Sequence, residues 1–162
     1  MKVKDIMTAD LQTCDPQMSA AAAAGLMWDG DCGFLPVVEA GTLLGVVTDR
    51  DLYIALATQN RRPSELLVGD VATRKVITCE PDADIHAALE AMKAHQIRRL
   101  PVVDGEGRPV GMVSLNDLAR LVAQARRTTS DRELVQTLAA ICRPRMMQAP
   151  SSSRPLSRAV AS

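Results

Sequence analysis

The sequence predicts an α+β fold: two tandem β-α-β-β-α units related by a pseudo-twofold, followed by a C-terminal amphipathic helix and a tail. Three observations carry this reading. Val3-Lys-Asp-Ile-Met-Thr8, Thr13-Cys-Asp-Pro16 and Leu35-Pro-Val-Val38 recur 65 residues later as Val68-Gly-Asp-Val-Ala-Thr73, Thr78-Cys-Glu-Pro81 and Leu100-Pro-Val-Val103. Gly45-Val-Val-Thr-Asp-Arg-Asp51 recurs 66 residues later as Gly111-Met-Val-Ser-Leu-Asn-Asp117. Within each copy the apolar spacing switches between the period of a strand and that of a helix.

Each copy opens with a short extended segment, Leu11 to Thr13 or Val76 to Thr78, turned by Asp-Pro or Glu-Pro. A helix follows from Ser19 or Asp84, both residue types that cap helix N-termini. The first helix carries Ala20 to Ala24, Leu26 and Met27; the second carries Ile85, Ala88, Leu89 and Met92, spaced for one buried face. The Leu-Pro-Val-Val strand comes next, then a Gly-containing hairpin turn and a second strand, Leu43 to Val47 or Val110 to Val113. The hairpin around Asp104-Gly-Glu-Gly107 is one residue longer than its counterpart around Gly41, which moves the repeat offset from 65 to 66. A last helix runs from about Arg50 to Thr58 and from about Asn116 to Arg126.

A unit of this size buries too little surface to be robust alone. Two units in tandem that share apolar faces make one compact body. The units span 1–60 and 68–127, joined by a linker at 61–67. Ser130-Asp-Arg-Glu133 is a capping-box pattern that starts a third segment, a helix over 128–143 with Leu134, Val135, Leu138 and Ile141 on one face, closed by Pro144. Residues 144–162 read as a flexible basic tail.

Composition narrows the function. Hydrophobic residues make up 47% of the 162 but aromatic residues only 2%, so the core is aliphatic and methionine-filled. With one Trp, one Tyr and one Phe, the chain lacks stacking platforms for single-stranded nucleic acid. Net charge is zero, which argues against a general polyanion binder. Four of the 19 basic residues fall between Arg143 and Ser162, where there is no acid, so the remainder is mildly acidic. The N-terminus has no signal-peptide core, and the longest apolar run, Ala20 to Trp28, is too short to span a bilayer. A cytoplasmic location with no membrane association is expected. The cysteines at 14, 32, 79 and 142 form no Cys-x-x-Cys pair.

The ordered set Asp-x-Met-Thr (Asp-x-Ala-Thr in the second copy), Thr-x-x-Pro, Leu-Pro-Val-Val and Gly-x-x-Thr/Ser-x-x-Asp, running twice over residues 2 to about 125, resembles a tandem pair of CBS domains, a Bateman module. The resemblance implies a regulatory module and not an enzyme, with up to two sites for adenine nucleotides (AMP, ADP or ATP) or S-adenosyl compounds in a cleft between the halves, and pairing into a homodimer. By position it implies that Thr48 and Ser114 lie near phosphate or ribose and that Asp51 and Asp117 grip ribose hydroxyls. Thr13 and Thr78 would fall in the segment whose backbone faces the adenine. Leu35, Pro36 and Val37 would line the pocket in one half, and Arg99, Pro101 and Val102 in the other.

The chemistry is sound without the family. One carboxylate can accept from both hydroxyls of a ribose. A hydroxyl residue at a helix start sits beside free backbone N–H groups and the positive end of the dipole, a place for phosphate. The same strings, Thr48-x-x-Asp51 and Ser114-x-x-Asp117, also fit helix capping alone. The halves differ in charge: Arg74, Lys75, Arg98 and Arg99 surround the second junction, where the first half has Ala9, Asp10, Gly33 and Phe34, and Asp49 stands where the second half has Leu115. The second site is therefore expected to favour phosphate and the first to resist it.

Other residues weigh less. His86 and His95 lack the i, i+4 spacing of a metal pair. Cys14 and Cys79 read as buried small hydrophobes, with a redox or metal sensor as the competing use. Met18, Met27, Met92 and Met112 read as core. No catalytic constellation or P-loop is present. The leading expectation is a stand-alone module that signals an adenosine ligand to an effector protein by a change of conformation or oligomer. The alternative is a constitutive dimerising adaptor with vestigial ligand sites, its dimer held partly by the helix from Glu133 to Ile141.

Overall fold

The computed structural model describes residues 1–124 and 131–143. The first half contains helix α1 (Ala20–Asp29), strands β1 (Phe34–Glu39) and β2 (Thr42–Thr48), and helix α2 (Asp49–Gln59). The second contains a single turn α3 (Val68–Val71), helix α4 (Ile85–His95), strands β3 (Arg99–Val103) and β4 (Pro109–Ser114), and helix α5 (Leu115–Gln124). Helix α6 (Asp131–Ile141) follows. The expected cap at Ser130, the stop at Pro144 and the basic tail lie outside the described residues.

Local chemistry sets these elements where the sequence places them. Ser19 Oγ accepts from the Ala22 N–H at 3.2 Å and starts α1, and Asp84 Oδ1 accepts from the His86 N–H at 2.8 Å and starts α4. Both hairpins are antiparallel and carry a register shift at the same place, between Val37 and Val38 and between Val102 and Val103. The β1–β2 turn is tight, with Ala40 and Gly41 both at positive φ. The longer β3–β4 turn is held by Asp104, whose Oδ1 accepts from the N–H groups of Glu106 and Arg108, each at 2.9 Å. The added residue is thus absorbed by a side-chain-capped turn.

The opening segment of each unit is extended but is not a strand. It touches the sheet at one parallel bridge, Cys14 to Val37 in the first half and Cys79 to Val102 in the second. The Cys14 N–H donates to the Pro36 carbonyl at 3.0 Å, and the Val38 N–H donates to the Cys14 carbonyl at 2.8 Å. Pro16 and Pro81 follow two residues later, and proline has no N–H with which to continue a ladder.

Each half's core is completed by the other repeat's beginning. Val3 is fully buried among Ile85, Leu89 and Leu100 in the second half, while Val68 and Leu66 are fully buried among Ala23, Leu35 and Val47 in the first. The backbone contacts are matched pair by pair. Val3 N–H donates to Ala83 O and Val68 N–H to Met18 O, both at 2.9 Å. Thr8 exchanges two bonds with Met112, and Thr73 exchanges two with Val46. The pseudo-twofold read from the sequence is therefore present in the hydrogen bonding.

These crossings explain the glycine in each Gly-x-x-Thr/Ser string. A Cβ on Gly45 would lie 2.8 Å from the Thr73 carbonyl oxygen. On Gly111 it would lie 2.6 Å from Met7 Sδ and 3.1 Å from the Thr8 carbonyl oxygen. Glycine is there so that the exchanged segment can lie flat on the strand.

Helix α6 breaks the symmetry by packing on α4 and α5. Leu134 and Ile141 sit against the second core, and Thr137 is fully buried, its hydroxyl donating to the Glu133 carbonyl at 2.8 Å. His86 Nδ1 lies 2.8 Å from Glu133 Oε1, which ties α4 to α6. Neither the charge pattern nor the spacing of the histidines predicts this tie.

Two measurements test this account. Gly45→Ala should destabilise by about 1–3 kcal/mol, the usual range for overpacking, and more than Gly111→Ala, because Met7 can swing aside where the Thr73 backbone cannot; chemical denaturation reads both. Glu133 raises the His86 pKa above its ordinary 6.5, first by hydrogen bonding and then by its charge. The stabilisation is thus complete below that ordinary value and is lost as pH rises through the folded-state pKa. Exchange of α6 backbone amides should accelerate, beyond its intrinsic pH dependence, as pH rises from 6.5 through the raised folded-state pKa of His86, and His86→Ala should abolish that excess.

Candidate functional site

The two strand-to-helix junctions form the same structure. At β2–α2, Asp51 Oδ2 accepts from Thr48 N–H at 3.0 Å and from Thr48 Oγ1–H at 2.7 Å, and Asp51 N–H donates back to Thr48 Oγ1 at 3.2 Å. At β4–α5, Asp117 Oδ2 accepts from Ser114 N–H at 2.8 Å and from Ser114 Oγ–H at 2.5 Å, with Asp117 N–H donating to Ser114 Oγ at 3.3 Å. Both are complete capping boxes, so the capping role is realised in each half. In both, one carboxylate oxygen takes both bonds. The other, Oδ1, has no hydrogen bond to the described residues and all four side chains are half-buried.

The surroundings of the boxes differ. Arg99 pairs with Ser114 across β3 and β4, where the first half pairs Phe34 with Thr48. Phe34 is buried, whereas Arg99 is half-buried and Arg98 is exposed. The Arg98 carbonyl accepts from Leu115 N–H at 2.9 Å. At the matching place in the first half, Asp49 closes over Gly33: a Cβ on that glycine would lie 2.7 Å from Asp49 Oδ2. Arg74 and Lys75 lie on the connection from the Thr73–Val46 bridge in the first half to the Cys79–Val102 bridge in the second. Among the described residues, none of these four cations enters an ion pair.

The remaining predicted positions are spread across the two sheets. Thr13 is exposed and Thr78 is half-buried, each one residue before the cysteine bridge. The side chains of Leu35, Val37 and Val102 have no exposure and belong to the cores. Pro36 and Pro101 are buried on the alternate face of their strands, and their carbonyls accept from Cys14 and Cys79 N–H. What Leu35, Val37 and Val102 can offer a ligand is therefore backbone, while Arg99 and Ser114 are register partners at the strand end where Asp117 caps α5 and the Arg98 carbonyl accepts from Leu115 N–H.

The paired cysteines are insulated. Burial pushes both the Cys14 and Cys79 thiols up to about 11, which disfavours the thiolate that redox or metal chemistry needs. Among the described residues no group of three His, Cys, Asp or Glu side chains could hold a metal ion, and no helix is long and apolar enough to cross a membrane.

One surface feature escapes sequence reasoning. A groove of about 560 Å³ opens on the helical side of the first half, floored by Leu52 and Leu56 and edged by Trp28, Tyr53, Asp31 and Asp49. The signal was available in part: two of the three aromatic residues occupy helix positions turned away from the core.

Comparison with known proteins agrees with the duplicated frame. The family model described as CBS domain matches residues 3–58 and again 68–124. The CBS domain-containing protein YhcV of Bacillus subtilis (strain 168) is 39% identical over 117 residues, which covers 72% of this chain and 82% of that protein. The CBS domain pair of protein MJ0100, solved in complex with 5′-methylthioadenosine and S-adenosyl-L-methionine, superposes with a TM-score of 0.69 at 31% identity, covering 76% of this chain and 96% of that one. CBSX2, solved in complex with AMP, gives a TM-score of 0.67 at 27% identity, covering 78% and 98%.

The thiols provide a direct check on these environments. With a thiol-reactive dye on the native protein, exposed Cys142 should react first. Cys14 and Cys79 should be slower by at least about tenfold until the chain is unfolded, as expected for thiols held in neutral form.

Proposed function

The chain belongs to the CBS domain family, and from that premise we propose that it is a regulatory module binding an adenine nucleotide or adenosyl ligand, with a phosphate-accepting site in its second half. The observation that carries this reading is the asymmetry between two identical capping boxes. Beside Ser114 and Asp117 stand Arg98 and Arg99, free of ion pairs among the described residues. Beside Thr48 and Asp51 stands Asp49.

In this reading the Asp117 oxygen left over from the cap accepts from the ribose hydroxyls. The N-terminus of α5 and the two arginines receive the phosphate. Arg74 and Lys75, on the connection between the halves, add positive potential to the approach. The first half, with Asp49 at the matching position, suits a less charged adenosyl group or stays weaker. The complexes of MJ0100 and CBSX2 support the ligand class.

Signalling follows from the shared cores. A ligand that binds one relative orientation of the halves better than another shifts the population toward it. The reading includes a homodimer, a cytoplasmic setting and an effector protein that senses the shift. The competing reading, a constitutive dimerising adaptor with vestigial sites, draws support from the fact that both boxes are complete without a ligand.

Isothermal titration with AMP, ADP, ATP and S-adenosylmethionine separates the two. The nucleotides should bind at one strong site and more weakly as salt rises. Arg99→Ala should weaken binding by about tenfold, the scale of one charge-assisted contact, and Asp117→Ala should abolish it while Asp51→Ala leaves it nearly intact. A thermal midpoint indifferent to all four compounds would establish the adaptor instead.

A further inference from the structure

Helices α1 and α2 are the repeat counterparts of α4 and α5. The C-terminal region covers one of these pairs, since α6 lies on α4 and α5. Among the described residues the other pair is bare, and at the edge of its groove Trp28 is 86% and Tyr53 73% exposed.

One repeated position shows how each pair can meet the C-terminal region. Gln96 ends α4 in the left-handed conformation, and its Nε2 donates to the carbonyls of Ala140 and Arg143, each at 3.2 Å. Its counterpart 65 residues earlier is Asp31, also left-handed at φ 46°, just past the end of α1. An amide that donates to backbone carbonyls is thus replaced by a carboxylate, which takes a cation. Asp49 supplies a second carboxylate to the same groove. Among the described residues neither acid enters an ion pair. Trp28 and Tyr53 offer exposed rings on which a guanidinium can stack, and Leu52 and Leu56 form an apolar floor. The groove therefore suits an apolar side chain flanked by arginines.

The sequence after α6 holds such a stretch. Residues 144–162 contain three arginines and no acid, and Arg154-Pro-Leu-Ser-Arg158 sets Leu156 between two of them. In an extended chain alternate residues share a face, which puts Arg154, Leu156 and Arg158 together. Leu156 comes thirteen residues after Arg143. That length reaches up to roughly 45 Å, more than the width of a folded body of this size, about 37 Å.

We propose that the α1–α2 groove is the docking site of the chain's own segment 154–158, with Leu156 over Leu52 and Leu56 and the flanking arginines on Asp31 and Asp49. Tethering holds the segment at an effective concentration on the order of millimolar, so a weak contact suffices. The tail is then an autoinhibitory plug. Any partner for this face must displace it, and salt, which screens the arginines, loosens it. The proposal goes beyond the nucleotide reading and does not depend on it.

The test uses the full chain and acrylamide quenching of its single tryptophan, read over a wide range of protein concentration. Trp28 should be shielded in the parent at every concentration and become accessible at high salt. Leu156→Glu should lower the ratio of docked to free tail by about tenfold or more, the scale of losing one anchor contact, with far-UV circular dichroism unchanged. Arg154→Glu combined with Arg158→Glu should do the same, and adding Asp31→Lys and Asp49→Lys to that pair should restore the shielding. A Trp28 as open to quencher in the parent as in Leu156→Glu overturns the proposal. Shielding that Leu156→Glu leaves unchanged overturns it too, and gives the groove to a second copy if the shielding grows with protein concentration. Nucleotide titration is read separately, so the loss of this plug leaves the ligand reading standing.

Discussion

The constraint on which the structure depends is the exchange of chain beginnings between the two repeats. Val3 closes the core of the second half, and Leu66 and Val68 close the core of the first. Fully burying an aliphatic side chain is worth about 1.5–3 kcal/mol, so neither half can be removed without stripping such groups from the other. The backbone crossings at Thr8–Met112 and Thr73–Val46 then fix the halves in register. This is how units too small to stand alone become one folding body. It also accounts for the glycine at 45 and 111, where the foreign segment lies against the strand.

That register also sets the functional differences. Since the two capping boxes have the same hydrogen bonds, the caps cannot tell the halves apart. The neighbouring strand does: it brings Arg99 against Ser114 in one half and Phe34 against Thr48 in the other. Asp49 and Leu115 extend the contrast by one residue into the helices. The duplication conserves geometry while charge diverges, and charge is what separates a site for phosphate from one that repels it.

The helical side of the molecule diverges in the same manner. In the second half α6 covers α4 and α5, fastened by Glu133 on His86. The corresponding side of the first half keeps its groove and its exposed aromatic residues. Symmetry in the cores and asymmetry on the faces is a natural division: cores must pack, and faces are free to specialise.

The sequence by itself determined the duplication, the helix caps at Ser19 and Asp84, the Leu-Pro-Val-Val hairpins and the Thr48–Asp51 and Ser114–Asp117 boxes. All of these are local: the interacting residues lie within a few positions or in one periodic run, so spacing carries the information. It also determined the charge difference between the halves, because offset counterparts can be compared letter by letter. Tertiary structure alone decided that each repeat begins in the other's core, that the opening segments touch the sheet at a single bridge, and that His86 holds α6. It alone decided that Leu35, Val37 and Val102 face inward and that Trp28 and Tyr53 edge a groove. These depend on pairs many residues apart, such as Val3 with Ile85 or His86 with Glu133. Local spacing is silent about such pairs, because which distant surfaces meet is set by the packing of whole elements and not by the order of letters within one.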